Sequence, residues 1–458
     1  MRKDLRLMRV RRPIRLVAAA VSFAVGGSLA VASATPALAV TKPAPVVKPV
    51  ATPVDYFGMH VSNLGVARYL PSKATVGSVR LWDTGTTWAD VQPTPTTWNW
   101  TRLDAAVAQA VRNHQKPMIV LGQTPAWASS QPTLDLGKGL PAGSTATPSH
   151  LTYWRAYVDA VVARYYRKGV REFQTWNEPN GGLFFTGTPT QMASLNLAAY
   201  QALHAGTVVK TKKRVKGRTV TVSTVKRKYP LASLVGPGFT SRRAPAITWM
   251  SKYLASTGGK YADINAVHLY SNPGKGPEDA IAQLVTVRRY LKKYKLDTLP
   301  VYATEVSFGG PVGGIGAPEK ITEANQAAYV SRFLLLARAQ GVARTYWYAW
   351  DVHGRLGVEL TKADNRTLTP AGKAYSVTRT WMAYPLVDCT RARTNTYTCT
   401  IKLRRGHGYI VWNPTKRVGM LAPAGTVSVT SVLGVKKKTK AKAKLVITSS
   451  PQYIASTV

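Results

Sequence analysis

Two glutamates, Glu178 and Glu305, have the sequence surroundings most suited to chemistry in this chain. Glu178 lies in the stretch WNEP at residues 176–179, and Glu305 ends the run VYATE at residues 301–305, so each follows a short β-like segment. Two carboxyl groups can cleave a glycosidic bond when one donates a proton to the leaving oxygen and the other, ionised, attacks the sugar carbon. The alternative is that both are ordinary loop carboxylates.

Short apolar runs that alternate with helical patterns would position these two residues. We predict eight strands, at residues 56–59, 78–81, 118–121, 172–175, 234–235, 264–267, 301–303 and 345–349. Helical periodicity occupies residues 103–113, 153–166, 191–205, 249–256, 277–294 and 324–340. Eight strands alternating with helices predict an α/β fold, a (β/α)8 TIM barrel over residues 55–384. A doubly wound open sheet is the alternative, but no glycine-rich phosphate fingerprint follows the first strand.

Polar and aromatic residues recur where these predicted strands end. In such a barrel the chemistry is built at the C-terminal ends of the strands. The residues expected there are His60, Arg80, Trp127, Asn177, Glu178, His268, Tyr270, Glu305 and Trp350. Several have a structural alternative, because Arg80 could form a salt bridge within the barrel, His268 could be a core histidine and Trp350 could serve packing alone.

The WNEP motif after strand four and the glutamate at the end of strand seven resemble clan A of the retaining (β/α)8 glycosidases. A His-x-Tyr pair at residues 268 and 270 and a tryptophan after strand eight strengthen this likeness. Within that clan the chain is similar to the β-xylosidase/α-iduronidase family, and the likeness covers most of residues 55–458 in architecture. The loops at 210–228 and 309–314 have no counterpart that we can assign, so the sugar stays open.

The resemblance implies roles for five of these residues. Glu178 would be the general acid and then the general base, with a raised pKa. Glu305 would be the nucleophile, kept ionised by hydrogen bonds from Arg80 and Tyr270. Asn177 would donate a hydrogen bond to the sugar 2-hydroxyl.

Four more residues are expected around the reacting sugar. His268 would join the hydrogen bonds of the glutamate pair, and Trp350 would form the floor beneath the sugar. Trp127, after strand three, is predicted as a further sugar platform, and His60, after strand one, as a further subsite residue. No cofactor is implied.

The N-terminus predicts export. Residues 1–39 combine a basic segment, an apolar segment at 16–31 and the cleavage site ALA at 37–39, which together indicate a signal peptide. A membrane anchor is the alternative, which the glycines of the apolar segment weaken. Residues 40–54 form a proline-rich linker. No later stretch approaches the roughly 20 apolar residues of a transmembrane helix, so we expect a secreted protein without a membrane partner once the signal is cleaved.

The pattern changes to short β-rich runs in residues 385–458. Runs at 397–401, 408–412, 425–429 and 445–447 predict a small β-sandwich domain, with residues 451–454 as its last edge. The only two cysteines of the chain, Cys389 and Cys399, lie in this region. In an exported protein they are expected to form one disulfide. No further ligands accompany them, so no metal site is predicted.

A net charge of +42 is enough to attract polyanions. No nucleic-acid-binding motif is present, and anionic cell-wall polymers or acidic polysaccharides are the expected electrostatic partners, with plain solubilisation as the alternative. Nine Lys or Arg and no acid occupy residues 210–228, which we expect to form a projecting β-hairpin, and six lysines occupy residues 436–444. Either segment could equally be a solvated loop.

The combined expectation is a secreted retaining O-glycosidase that acts on an oligo- or polysaccharide by a two-glutamate double displacement. The alternative is a non-catalytic glycan- or cell-wall-binding protein on a glycosidase scaffold. Nucleic-acid binding, if observed, would be expected to reflect charge alone, without sequence preference.

Overall fold

The computed structural model describes residues 50–66, 76–216, 218–311 and 316–458. The predicted signal peptide, most of the linker and part of the glycine-rich loop at 309–314 lie outside these ranges. Val46–Val458 forms one compact unit. Across the described ranges, no helix combines the length and the apolar character needed to cross a membrane.

A closed ring of parallel strands forms the centre of the protein. In chain order the first strands are β1 (Phe57–His60), β2 (Ser78–Leu81), β3 (Lys116–Leu121), β4 (Glu172–Thr175), β5 (Gly206–Val215), β6 (Arg218–Arg227), β7 (Ser233–Val235), β8 (Phe239–Thr240), β9 (Asn265–His268), β10 (Val301–Val306) and β11 (Val342–Trp347). The antiparallel hairpin of β5 and β6 lies outside the ring, and the other nine form one sheet in which β1 pairs with both β2 and β11. The predicted TIM barrel is confirmed.

The fifth position of the barrel is divided between two short strands. β7 pairs with β4, whereas β8 pairs with β9, and residues 236–238 separate the two pieces. Isolated parallel bridges join Val235 to Ile264 and Asn177 to Gly238. The break therefore occurs beside the end of β4, where the WNEP motif begins.

Helices surround the ring. They are α1 (Trp88–Val91), α2 (Thr101–Arg112), α3 (Leu151–Arg167), α4 (Pro189–His204), α5 (Ala244–Ala255), α6 (Pro277–Lys293), α7 (Glu323–Ala339) and α8 (Pro370–Trp381). The six predicted helices are present, and the short α1 and the longer α8 are additions. Its start is encoded locally, because Pro370 takes the first helical position and the Thr369 hydroxyl accepts a hydrogen bond from the Gly372 amide.

Two antiparallel sheets follow the barrel. Their strands are β12 (Leu386–Arg391), β13 (Tyr397–Lys402), β14 (His407–Trp412), β15 (Val418–Leu421), β16 (Thr426–Ser431), β17 (Lys436–Lys438), β18 (Lys444–Ile447) and β19 (Gln452–Ser456). The larger sheet has the order β12-β13-β14-β19-β16-β17, and β15 pairs with β18. A C-terminal β-domain is thus confirmed, as is the Cys389–Cys399 disulfide between β12 and β13.

One detail of this domain was predicted wrongly. The last strand was expected at the edge of a sheet, but β19 pairs with β14 on one side and β16 on the other. Alternating apolar residues explain why the strand is central, because Ile454 is fully buried between the two sheets together with Val411 and Ile447. Trp412, on the opposite face of β14, packs into the barrel core and donates a hydrogen bond to Glu278 (3.3 Å).

Candidate active site

Three ionisable side chains meet at the carboxyl ends of the barrel strands. Glu178 follows β4, His268 ends β9 and Glu305 lies near the end of β10. One nitrogen or oxygen atom from each lies within 4.8 Å of the others. The strand ends therefore bring the two predicted glutamates together, although 127 residues separate them along the chain.

The backbone after β4 departs from regular strand geometry. Successive side chains of a regular strand point to opposite faces, yet Asn177 and Glu178 both reach the site. Trp176 (φ 59°) and Glu178 (φ 38°) adopt left-handed conformations, which cost about 1–3 kcal/mol each in non-glycine residues. Backbone hydrogen bonds hold them, from Trp176 N to Leu121 O (2.8 Å) and from Glu178 N to Gly238 O (2.8 Å).

Arg80 connects the side chains of the site. It is fully buried on β2 and donates from Nη1 to Glu305 Oε1 (2.7 Å), from Nη2 to Asn177 Oδ1 (2.7 Å) and from Nε to Gln174 Oε1 (2.6 Å). All three donor nitrogens of the guanidinium are thus used in a fixed fork. The hydrogen bond from Arg80 identifies the oxygen of the Asn177 amide and so distinguishes it from the amide nitrogen, which can donate.

Glu305 is held at both carboxylate oxygens. Oε1 accepts from Arg80, and Oε2 accepts from the Tyr270 hydroxyl (2.9 Å). Burial raises the pKa of Glu305, while the neighbouring His268 and Arg80 act to lower that pKa. Hydrogen bonds to both oxygens favour the ionised carboxylate.

Glu178 has a different electrostatic environment. Burial raises its pKa to about 7, and the charges of Arg242, Arg80 and Arg243 oppose this rise. Its side chain stays about 21 % exposed, compared with 8 % for Glu305. Glu178 therefore retains its proton at a pH where an ordinary glutamate has lost it, and it faces the opening of the site.

His268 joins the two glutamates. Its Nδ1 lies 2.8 Å from Glu178 Oε1 and 3.4 Å from Glu305 Oε2. Burial lowers the pKa of His268 to about 3, so the ring is neutral. Nε2 is buried without a hydrogen-bond partner among the described residues, and a Cβ at Gly238 would lie 2.4 Å from it. The single ring proton is therefore placed on Nδ1, where acceptors are available.

Two other predicted residues lie beneath or beside this cluster. His60 is 2 % exposed, and its Nε2 lies 3.0 Å from Thr304 O and 3.4 Å from Arg80 Nη1, so it contacts the residues that hold Glu305. Trp350 is 6 % exposed and donates from Nε1 to Asn365 O (3.0 Å).

Trp127 lies in an aromatic cluster between the barrel and its helices. Its ring is edge-on to Trp88 (6.1 Å between centroids) and to Tyr153 (5.3 Å), and its Nε1 donates to Gln92 O (2.9 Å). These contacts are with residues of the α1 and α3 regions rather than with the glutamate pair.

Sequence reasoning missed three residues that support the site. Gln174, on β4, binds Arg80 and donates to Gly236 O (3.2 Å). Asp83, two residues after β2, accepts from the Tyr348 hydroxyl (2.6 Å). Gln174 lies in the mostly polar strand Glu172–Thr175 and gave no distinct signal, whereas Asp83 is an acid just beyond a strand end.

One histidine and two carboxylates at this spacing could in principle bind a metal ion. The donor set does not fit one well, because Arg80 and Tyr270 already occupy both oxygens of Glu305. In addition, Nδ1 of His268 carries a proton that points at Glu178, so this atom offers no lone pair to a metal ion. The arrangement is that of a hydrogen-bonded acid–base cluster.

Comparison with known proteins agrees with this arrangement. Residues 219–375 match a family model described as the glycosyl hydrolase catalytic core, and this segment contains His268, Tyr270, Glu305 and Trp350. The chain resembles the clan A glycoside hydrolases. A β-xylosidase of Geobacillus stearothermophilus is 24 % identical over an alignment of 283 residues that covers 57 % of this chain. This chain spans 50 % of the length of that curated relative.

Solved structures of glycoside hydrolases share this fold. A family 39 glycoside hydrolase from Bacteroides cellulosilyticus has a TM-score of 0.64 at 17 % identity, covering 88 % of this chain and 81 % of that one. A GH39 β-xylosidase from Caulobacter crescentus has a TM-score of 0.59 at 14 % identity, with 89 % and 98 % covered. At these identities the likeness shows a shared fold.

Proposed function

We propose that this protein is a secreted retaining O-glycosidase that acts on an oligo- or polysaccharide. The observation that carries the proposal is the closeness of the Glu178 and Glu305 carboxyl oxygens, within 4.8 Å. Retaining enzymes keep their two carboxyl groups about 5–5.5 Å apart, whereas inverting enzymes need roughly 6.5–9.5 Å to admit a water molecule. The spacing here supports direct attack by one carboxylate.

The environments of the two glutamates support different roles. Glu305, with Arg80 and Tyr270 on its oxygens, attacks the anomeric carbon. The bond to the leaving oxygen breaks as Glu178, with its pKa of about 7, gives that oxygen a proton. Glu178 then takes a proton from water, which attacks the glycosyl–enzyme and releases the sugar and Glu305. Asn177 Nδ2 is oriented to bind the sugar 2-hydroxyl, a contact that strengthens in the transition state.

Xylosides are the first substrates to test, because the curated relative and one of the structural neighbours are named β-xylosidases. Secretion rests on the signal-peptide pattern of residues 1–39. The charge of +42 supports an electrostatic association with anionic cell-wall polymers. These points belong to the proposal and are independent of the two-glutamate chemistry.

The stereochemistry of the first product tests the proposal. A panel of aryl glycosides would identify the sugar, and NMR of the fresh reaction would then give the anomeric configuration before mutarotation. We expect the configuration of the substrate to be retained. An inverted product, or no turnover of any glycan together with tight binding to cell walls, would contradict it.

The pH dependence of kcat/KM should report the protonation of Glu178. Because the general acid must be protonated, kcat/KM should fall as the pH rises through about 7, and at pH 8 it should be roughly tenfold lower than on the plateau. In Glu178→Gln, a substrate whose leaving group needs no protonation should react without this basic limb. A wild-type profile that stays flat to pH 9 would contradict the assignment of the acid.

A further inference from the structure

The hairpin of β5 and β6 projects from the barrel between α4 and β7. Its strands are ten residues each and pair without interruption from Gly206↔Arg227 to Val215↔Arg218. At about 3.3 Å per residue, each strand is about 33 Å long. Apart from Val222 and Arg227, every residue of these strands whose side chain is described is exposed. The hairpin therefore has two faces open to solvent.

The pairing register assigns each side chain to one of these faces. Directly opposed residues share a face, and faces alternate along each strand. Lys210, Lys212 and Arg214 lie on one face, opposed by Ser223, Thr221 and Thr219. We call this set of three cations and three hydroxyls the lysine face.

The other face differs in composition. Its cations Lys213, Arg218 and Lys226 are scattered between the two strands and among valines such as Val209 and Val220. Between residues 207 and 226 this face carries as many positive charges as the lysine face, but the charges do not form a continuous row. We call it the valine face.

The cations of the lysine face lack acidic partners. No Asp or Glu occurs between residues 206 and 228. Within the part of the chain that the structure describes, no ion pair joins a hairpin cation to a carboxylate. Three neighbouring positive charges, repeated at about 6.8 Å along one strand, repel each other, and an external anion would relieve that repulsion.

We propose that the lysine face binds a carboxylated polysaccharide chain along the length of the hairpin. The cation row complements a linear polymer with regularly spaced carboxylates, and the opposed Ser and Thr hydroxyls can exchange hydrogen bonds with sugar hydroxyls. The hairpin contains no aromatic residue, so it lacks the stacking platforms that single-stranded nucleic acids use. The choice of a polysaccharide rests on the proposed glycosidase function.

Two matched triple variants test this assignment. K210Q/K212Q/R214Q removes three charges from the lysine face, and K213Q/R218Q/K226Q removes three from the valine face, so both change the net charge equally. Both triple variants are made in the Glu178→Gln background. Their binding to polygalacturonate is measured by titration at salt concentrations between 25 and 200 mM. This range includes 0.1 M, where the Debye length is about 10 Å. Circular dichroism confirms that each variant is folded.

We expect the lysine-face variant to bind at least about tenfold more weakly at low salt and to reduce the slope of log affinity against log salt by about 2 to 3. The valine-face variant should lose less than about threefold. Equal losses in both variants would mean nonspecific charge and overturn the proposal, as would tighter binding to duplex DNA than to polygalacturonate. Because no turnover is measured, a negative result leaves the glycosidase proposal standing.

Discussion

Glu305→Gly should hydrolyse an activated aryl glycoside roughly 10⁴-fold more slowly than the wild type, or more, because no nucleophile remains at the anomeric carbon. That factor corresponds to about 5.4 kcal/mol of transition-state stabilisation. Azide should restore turnover, since the small anion can enter the space left by the carboxylate and attack from the same side. The glycosyl azide formed should have the inverted configuration.

Glu178→Ala provides the matched comparison. With a leaving group that needs no protonation, Glu305 can still form the glycosyl–enzyme, and azide then replaces water in the second step. The azide product should have retained configuration. Opposite stereochemistry in the two variants assigns the roles of the two glutamates, and the reverse result would exchange them. Full activity in both variants would remove the pair from the mechanism.

Arg80→Met should lower both activity and stability more than any other substitution outside the glutamate pair. Removing one partner of a buried charge pair costs about 3–5 kcal/mol of the free energy of unfolding, because the other charge remains buried. Here that charge is Glu305, whose oxygen Oε1 lies 2.7 Å from Arg80. Without the guanidinium the pKa of Glu305 should rise further, and the acidic limb of the pH–rate profile should move to higher pH. Denaturant unfolding and kcat against pH measure the two effects.

Two further arginine variants separate charge from geometry. Arg80→Lys keeps the positive charge but cannot reach Glu305, Asn177 and Gln174 together, so it should recover part of the stability and little of the activity. Arg164→Met removes an arginine from a pair with Asp104 in which both side chains are about a third exposed, and it should cost less than about 1 kcal/mol. If the acidic limb of Arg80→Met lay at the same pH as that of the wild type, the proposed effect of Arg80 on the pKa of Glu305 would be contradicted.

The position of the site could be predicted from the sequence because parallel strands in a barrel end on one rim. Strand ends identified from short apolar runs placed Arg80, Glu178, His268 and Glu305 at that rim, although the boundaries differed by a few residues. The contacts among them could not be predicted. That Asn177 and Glu178 share the site depends on two left-handed residues held by hydrogen bonds to neighbouring strands, and local sequence does not encode those neighbours.

Other differences have the same origin in tertiary contacts. The residues Gly-Pro-Gly at 236–238 mark a break after the fifth strand, but no local pattern predicts that the two residues of β8 then rejoin the sheet beside β9. Trp127 packs edge-on against Trp88 and donates its indole N–H to the backbone carbonyl of Gln92, contacts that its place after a strand end does not predict. Gln174 lies in a mostly polar strand, and its role becomes apparent only from its hydrogen bond with Arg80.

The central place of β19 affects the order in which the C-terminal domain can be assembled. β14 and β16 emerge earlier during synthesis, and each has one unpaired edge until residues 452–456 pair between them. Open strand edges are sites of intermolecular pairing. Without residues 452–456, the six-stranded sheet would consist of two fragments, each with an unpaired strand edge. Completion of the six-stranded sheet therefore depends on residues 452–456, the segment that joins its two halves.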